Sequence, residues 1–240
     1  RHALTHRVGF ANFGFLEPDG RLRFHFDPGA RYAYSGDGYI LLQFALEQGL
    51  GLALGESTQS QVFDPLGMTR TSLQWRADFA GNLADGWRLD GSVEPHDERS
   101  RPRAAGSMDT TLTDMARFAA AYVRGDGLSA AAHQALTTPQ HPITTRSQFP
   151  TLQPELPADA QGRGFFKGGH NDSTGNTWVC LLDGRRCVLI LANDVRAEAA
   201  FPAIVAALLG DTGVPWRWEY GDMAFWSAGA SEQPDLRGIE

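Results

Sequence analysis

The amino-acid sequence predicts an α+β protein, in which an antiparallel sheet flanked by helices is joined to a mostly helical subdomain. Residues 1–136 hold segments of helical periodicity, with loop and short strands over residues 1–36, among which residues 21–26 are the best strand candidate. Three consecutive strand-like segments follow later in the chain, and an apolar helical segment comes after them. Helices that precede an antiparallel sheet, without alternating with its strands, are typical of the α+β class.

The apolar periodicity of the sequence predicts four helices. The third is the clearest, because apolar residues recur from Met115 to Tyr122 at the spacing of one helical face. This face is expected to pack in the core. We expect Thr113 to cap this helix and Gly125 to end it. The other three predicted helices span residues 37–48, 57–63 and 201–209.

Three strands are predicted in the second half of the chain, at residues 164–169, 176–183 and 185–193. The third strand is apolar on both faces, so we expect it to lie in the centre of the sheet. Residues 74–105 are expected to run over the surface, and the proline-rich residues 137–162 predict a long loop. We therefore divide the chain into a mostly helical region, a sheet region with the last helix, and a C-terminal tail, at residues 1–136, 137–213 and 214–240.

The two cysteines of the chain lie on either side of a predicted hairpin turn. The dipeptide Asp183-Gly184 forms this turn and places Cys180 opposite Cys187. The expected register leaves the two α-carbons about 5.5 Å apart, a separation that permits a disulfide. We expect two buried free thiols instead, because a buried cysteine packs well as a small apolar side chain.

The composition excludes several classes of function. Acidic residues outnumber basic ones by 28 to 21 and the formal net charge is −7, which argues against a nucleic-acid-binding surface. Apolar runs such as residues 188–192 are far shorter than the roughly 20 residues of a membrane-spanning helix. The sequence also lacks the spacings typical of a metal site or a phosphate-binding loop. We expect no nucleic-acid partner, no membrane span, no metal and no organic cofactor.

Two short motifs hold residue types suited to catalysis. Tyr-Ser-Gly-Asp-Gly-Tyr, at residues 34–39, leads into the first predicted helix, and Lys-Gly-Gly-His, at residues 167–170, ends the first strand of the sheet. Leu-Thr-His, Asp-Pro-Leu-Gly-Met and Ala-Gly-Ser-Met segments lie between residues 3 and 108. In order and composition, these five segments resemble those of serine hydrolases related to penicillin-binding proteins and class C β-lactamases, including their esterase and D-aminopeptidase relatives.

The resemblance implies a β-lactamase/transpeptidase-like fold and acyl transfer by a serine nucleophile, which needs a neighbouring base. In the family this serine lies in a Ser-x-x-Lys motif, and a tyrosine completes the proton relay. Tyr34 resembles that tyrosine, and Lys167 resembles its electrostatic partner. The backbone N–H of His170 resembles one donor of the oxyanion hole. The substrate, a small-molecule or peptide acyl compound, would lie against Gly36, Gly168 and Gly169.

The sequence departs from the family pattern in two places. Gly36 stands where the family usually has asparagine, and Asp37 is better placed to start the helix than to replace the lost amide. No serine is followed by a lysine three positions later, because Lys167 is the only lysine of the chain. The family carries Ser-x-x-Lys upstream of the Leu-Thr-His segment. We therefore expect an N-terminal segment outside these 240 residues, which is needed to complete the fold.

Two functions are compatible with these observations. The first is a hydrolase of esterase, amidase, D-peptidase or β-lactamase type, whose nucleophile lies outside this chain. The second is a non-catalytic homologue that keeps the fold and binds a peptide or protein partner. The compartment also stays open: the resemblance implies a periplasmic or secreted protein, and the sequence is compatible with a cytoplasmic one as well.

Produced without a preceding segment, residues 1–240 are expected to aggregate, because the family's sheet has N-terminal strands whose absence would expose apolar edges. Size-exclusion chromatography and thermal unfolding of the 240-residue polypeptide test this expectation. A soluble species that melts in one cooperative transition would contradict it.

Overall fold

The computed structural model describes residues 1–138, 164–214 and 216 of the chain. The α-helices in these ranges are α1 (Gly36–Leu50), α2 (Leu54–Thr58), α3 (Leu112–Arg124), α4 (Ala130–Thr137) and α5 (Phe201–Leu209). The strands are β1 (Gly86–Trp87), β2 (Val93–Glu94), β3 (Gly164–His170), β4 (Gly175–Leu181) and β5 (Arg186–Ala192). The predicted α+β class is therefore confirmed. None of the described helices combines the length and apolarity that a membrane crossing requires.

The larger sheet consists of β3, β4 and β5 in that order, and both pairings are antiparallel. Within the described part of the chain the central strand is β4, so the prediction of a central third strand is wrong. The structural reason is that β4 pairs on both sides and is buried along most of its length. Strand β5 is mostly only partly buried, and its Leu191 is 37% exposed.

Each face of this sheet is covered by a different helix, because successive side chains of a strand point to opposite faces. One face packs on α3 through Phe165, Trp178, Cys180, Ala119 and Val123. The other face packs on α5 through Phe166, Val179, Leu181, Val205 and Leu209. Burial of these two apolar layers holds the sheet between the helices.

All four predicted helical segments are helical, but three of them differ from expectation in their limits. The segment predicted as one helix at residues 57–63 begins three residues earlier, as α2, and its last five residues form a π-helical turn, Gln59–Phe63. Helix α3 is capped by Thr111 and not by Thr113, since the Thr111 hydroxyl accepts a hydrogen bond from the Asp114 N–H at 3.2 Å. It ends at Gly125, as predicted, where the backbone takes a left-handed φ of 78°. Helix α1 runs beyond residue 48 and ends at Gly51, with a φ of 65°. The last helix has the predicted limits.

Three further differences concern the connecting segments. Residues 21–26 form no strand, because no segment within the described ranges builds a ladder with them. The surface excursion at residues 74–105 contains the small antiparallel hairpin of β1 and β2. Helix α4 was not predicted. The predicted loop at residues 137–162 falls outside the described residues from position 139 onward, as does the tail beyond Val214 apart from Trp216.

The two cysteines form a disulfide, so the expectation of free thiols is wrong. Cys180 pairs with Cys187 across β4 and β5, as the hairpin turn predicts. Their α-carbons are 4.1 Å apart, closer than the expected separation of about 5.5 Å. This closer approach brings the sulfur atoms within bonding distance on the face of the sheet that packs against α3.

The disulfide is expected to stabilise the protein by about 2.5 kcal/mol, because it closes a short loop in the unfolded chain. Denaturant unfolding with and without reductant measures this difference. Alkylation of the denatured, unreduced protein is expected to label neither cysteine, and labelling of both before reduction would show that the bond is absent.

Candidate active site

Tyr34 and Lys167 lie together although more than a hundred positions separate them in the chain. The Lys167 Nζ is 5.7 Å from the centre of the Tyr34 ring, and both side chains are half-buried. Tyr34 comes two residues before α1, and Lys167 lies in β3. The Nζ also donates a hydrogen bond to the Gly168 carbonyl at 2.5 Å. An ammonium group and a phenol ring thus share one site, in a geometry that favours cation–π attraction.

The backbone after Tyr34 is held by Ser35, which is completely buried and bonded in three directions. Its N–H donates to the His6 Nδ1 at 3.1 Å, and its hydroxyl donates to the Ala11 carbonyl at 2.9 Å. The same hydroxyl accepts from the Gly38 N–H at 3.0 Å and so caps α1. Tyr34 is therefore positioned by a rigid helix start.

His6 forms an aromatic platform beside Tyr34. The two ring centres are 4.2 Å apart, and His6 is only 3% exposed. Burial, with the positive charge of Lys167 as a second cause, lowers the pKa of His6 from 6.5 to about 3. Because Nδ1 accepts from the Ser35 N–H, the neutral ring carries its proton on Nε2. Sequence reasoning named His6 in the Leu-Thr-His segment but did not predict its stacking on Tyr34, which depends on the fold.

Tyr39 lies in the same aromatic group but differs chemically from Tyr34. Its ring centre is 5.0 Å from that of His6, and its hydroxyl donates to the Leu4 carbonyl at 3.1 Å. Burial, followed by the nearby Tyr34, raises the pKa of Tyr39. The Tyr39 phenol therefore stays protonated and holds α1 against the N-terminal segment.

Gly36 is a buried position where a side chain has no room. A β-carbon added there would overlap with the Phe13 ring, and its N–H already donates to the Asn12 Oδ1 at 2.9 Å. The asparagine usual in the family would have to displace that ring. Asp37 does not replace the lost amide, because its Oδ2 accepts from the Gly14 N–H at 2.5 Å.

The two glycines after Lys167 have different surroundings. Gly168 is buried opposite Thr177 of β4, and Gly169 is exposed opposite Asn176. A β-carbon at Gly169 would make only an ordinary 3.7 Å contact with the Asn176 Cβ. Internal packing therefore does not require glycine at position 169.

The His170 side chain pairs with a carboxylate that the sequence analysis did not identify. Its Nδ1 is 2.9 and 3.1 Å from the two carboxyl oxygens of Glu198, which is 0% exposed. Burial raises the pKa of Glu198, and the bond to His170 opposes that shift. Glu198 lies in the 3₁₀ helix Val195–Ala200, just before α5. No sequence motif surrounds it, so no signal pointed to it.

Among the residues that the structure describes, no group of three or more His, Cys, Asp or Glu side chains could hold a metal ion.

A tyrosine at the start of a helix, beside a lysine on an antiparallel sheet that is covered by helices, defines a protein of β-lactamase/transpeptidase-like fold. The Beta-lactamase family model matches residues 1–211, so the chain belongs to the β-lactamase family, as its motifs predicted. Its relatives are hydrolases of the serine type. No curated protein matches the chain.

Solved structures agree with this assignment at the level of the fold. A penicillin-binding protein from Bacillus halodurans has a TM-score of 0.71 and 21% identity, over 86% of this chain and 71% of its own. A penicillin-binding protein homologue from Pyrococcus abyssi has a TM-score of 0.70 and 19% identity, over 91% and 57%. A D-stereospecific amidohydrolase from Streptomyces sp. has a TM-score of 0.67 and 17% identity, over 88% and 72%. The chain thus spans less than two thirds of the archaeal homologue.

Because His6 is buried and neutral, we expect the free energy of unfolding to fall as the pH is lowered. Because its folded pKa of about 3 lies below the unfolded value of 6.5, the unfolded state binds the extra proton between these values. Stability is therefore lost as the pH falls from 6.5 towards 3, by up to about 1.4 kcal/mol per pH unit from this group.

Denaturant unfolding at several pH values measures this slope, and His6→Asn, whose carbonyl can still accept from the Ser35 N–H, is the matched comparison. The variant is expected to show the smaller slope. Equal slopes in the two proteins, or an imidazolium signal of His6 at pH 5 by nitrogen NMR, would contradict the buried neutral ring.

Proposed function

We propose that this chain forms part of the active site of a serine hydrolase, which cleaves an ester or amide through an acyl-enzyme. The observation that carries the proposal is the 5.7 Å approach of the Lys167 Nζ to the Tyr34 ring. A phenol needs positive charge nearby to act as a base, because the charge stabilises the phenolate. Tyr34 is the general base, and Lys167 is its electrostatic partner.

The reaction follows the logic of activated nucleophiles. The Tyr34 oxygen takes the proton of the serine hydroxyl, and the serine oxygen forms a bond to the acyl carbon. The His170 N–H donates to the resulting oxyanion. Tyr34 returns the proton to the leaving alcohol or amine as the tetrahedral intermediate collapses to the acyl-enzyme. In the second half-reaction Tyr34 takes a proton from water, and the water oxygen attacks the acyl carbon. Tyr34 then returns the proton to the serine oxygen as the acid is released.

The nucleophile of this mechanism is supplied from outside the 240 residues. The only lysine is Lys167, and Gly164 stands three positions before it, so the chain itself holds no Ser-x-x-Lys.

The substrate is a small-molecule or peptide acyl compound. Structures similar to this chain include class C β-lactamases, a D-stereospecific amidohydrolase and a D-amino acid amidase. Their common chemistry is acyl transfer, which supports a β-lactam, D-amino acid amide, D-peptide or ester as substrate. Within the described residues, the sites proposed for acyl contact are the edge formed by Gly168 and Gly169 and the backbone at Gly36.

A non-catalytic homologue that binds a peptide or protein is the second candidate. Two observations favour it: the absence of Ser-x-x-Lys from these residues, and the Phe13 ring in the space of the family's asparagine.

The full-length polypeptide distinguishes the two candidates. A hydrolase is expected to react covalently with a fluorophosphonate at a serine of a Ser-x-x-Lys motif, mapped by peptide mass spectrometry, and to release p-nitrophenol from a nitrophenyl ester in a burst. A folded full-length protein that shows neither labelling nor a burst would leave only the binding function.

Tyr34→Phe is expected to lower turnover of the nitrophenyl ester by about 10²- to 10⁴-fold, because general base catalysis is lost. Thermal unfolding is expected to change little, since the ring and its stacking on His6 are kept.

Tyr39→Phe is the matched control, because it removes one hydroxyl from the same aromatic group. It loses the hydrogen bond to the Leu4 carbonyl, worth about 1 kcal/mol of stability, and is expected to keep its turnover. Normal turnover in Tyr34→Phe would show that this tyrosine only packs.

A further inference from the structure

The end of strand β3 is almost without side chains. Two glycines follow Lys167, and a third, Gly175, lies opposite His170 on β4. Glycine lacks the side-chain contacts that hold a strand in place and has the greatest backbone freedom. His170 is therefore the first side chain after Lys167 that can anchor this end of the strand.

The two side chains leave the strand on opposite faces. Lys167 comes two positions after Phe165 and therefore shares its face, the one that packs on α3, and its Nζ lies over the Tyr34 ring. His170 comes four positions after Phe166 and therefore shares its face, the one that packs on α5, where Glu198 lies. The His170 imidazole thus approaches the strand end from behind, away from the reacting phenol.

The Glu198 side chain occupies the space next to Gly175, which has no side chain of its own. A β-carbon at Gly175 would overlap with the Glu198 side chain, so glycine at that position admits the carboxylate. A fully buried carboxylate is costly unless it is hydrogen-bonded. Both of its oxygens lie within hydrogen-bonding distance of the His170 Nδ1, and an ionised carboxylate can only accept there. With Glu198 ionised, the Nδ1 carries the proton of this hydrogen bond.

We propose that Glu198, acting through the His170 imidazole, is a positioning residue that fixes the direction of the His170 backbone N–H. This role rests on the proposed function, in which that N–H donates to the oxyanion. Neither side chain touches the reacting atoms. The pair works as a clamp at the glycine-rich strand end, so that the donor is already aligned when negative charge develops on the substrate.

Turnover per active site tests this role in the full-length protein. Glu198→Met keeps the side-chain volume and removes the acceptor, and Glu198→Gln keeps one acceptor oxygen. With a nitrophenyl ester, Glu198→Met is expected to lower kcat about 10- to 100-fold with little change in KM, because losing an oxyanion donor outright costs about 10²- to 10³-fold. Glu198→Gln is expected to recover most of the loss.

A boronic acid gives a second measurement, because its tetrahedral adduct places an oxygen where the oxyanion forms. Its inhibition constant is expected to rise in parallel with the fall in kcat. Asp194→Asn is the matched control: it removes a carboxylate that caps the same 3₁₀ helix and pairs with Arg196, not with His170. This control is expected to keep kcat within twofold.

The burst amplitude counts active sites, so partial unfolding of a variant is separated from slower chemistry. A reduced amplitude with wild-type kcat per site would show a merely structural role and overturn the proposal, as would an unchanged boronic acid constant in Glu198→Met. A folded wild-type protein that shows neither fluorophosphonate labelling nor hydrolysis of the ester would instead overturn the proposed hydrolase function, and the positioning role with it.

Discussion

The Lys167 ammonium lies over the Tyr34 ring, and this contact requires two distant parts of the described structure to pack together. The two residues come from opposite parts of the chain, one ahead of α1 and the other in the sheet. The contact exists only if the helical part packs against the sheet in one arrangement. On the phenol side, His6 and Ser35 hold Tyr34 in place, since one hydrogen bond links the buried imidazole to the start of α1. The same burial that keeps His6 neutral leaves Lys167 as the cation beside the phenol.

Because side chains alternate along a strand, β3 presents the Lys167 charge on one face of the sheet and is anchored through His170 on the other. On the α3 face, β3 presents Lys167, and the Cys180–Cys187 disulfide joins the two neighbouring strands. On the α5 face, the same strand presents His170 to the buried Glu198. A short strand can thus offer a charge on one side and be anchored from the other, without the two groups competing for space.

The glycines of the site differ in what they do. Gly36 and Gly175 are needed because the Phe13 ring and the Glu198 side chain occupy the space of their missing side chains. Gly169 has no such neighbour, so its lack of a side chain is compatible with a substrate lying along that edge. The departure of Gly36 from the family pattern is therefore a packing change, in which an aromatic ring replaces an amide.

Local features of the chain were read correctly from the amino-acid order: the limits of α5, the end of α3 at Gly125, and the pairing of Cys180 with Cys187. Helix periodicity, glycine stops and two-residue turns depend on neighbours within a few positions, so they are visible in one dimension. The motif order was likewise sufficient for the family. The proximity of Tyr34 and Lys167 was expected only through that resemblance.

Packing between distant segments was not visible in the sequence. The position of β4 as the central described strand, the stacking of His6, the partnership of Glu198 with His170 and the disulfide itself all follow from how far apart particular atoms come to rest. The sequence shows a histidine, a glutamate or a cysteine in the same way whether its side chain is solvated or buried. Its desolvation, and the partner that compensates for it, exist only once the chain is folded.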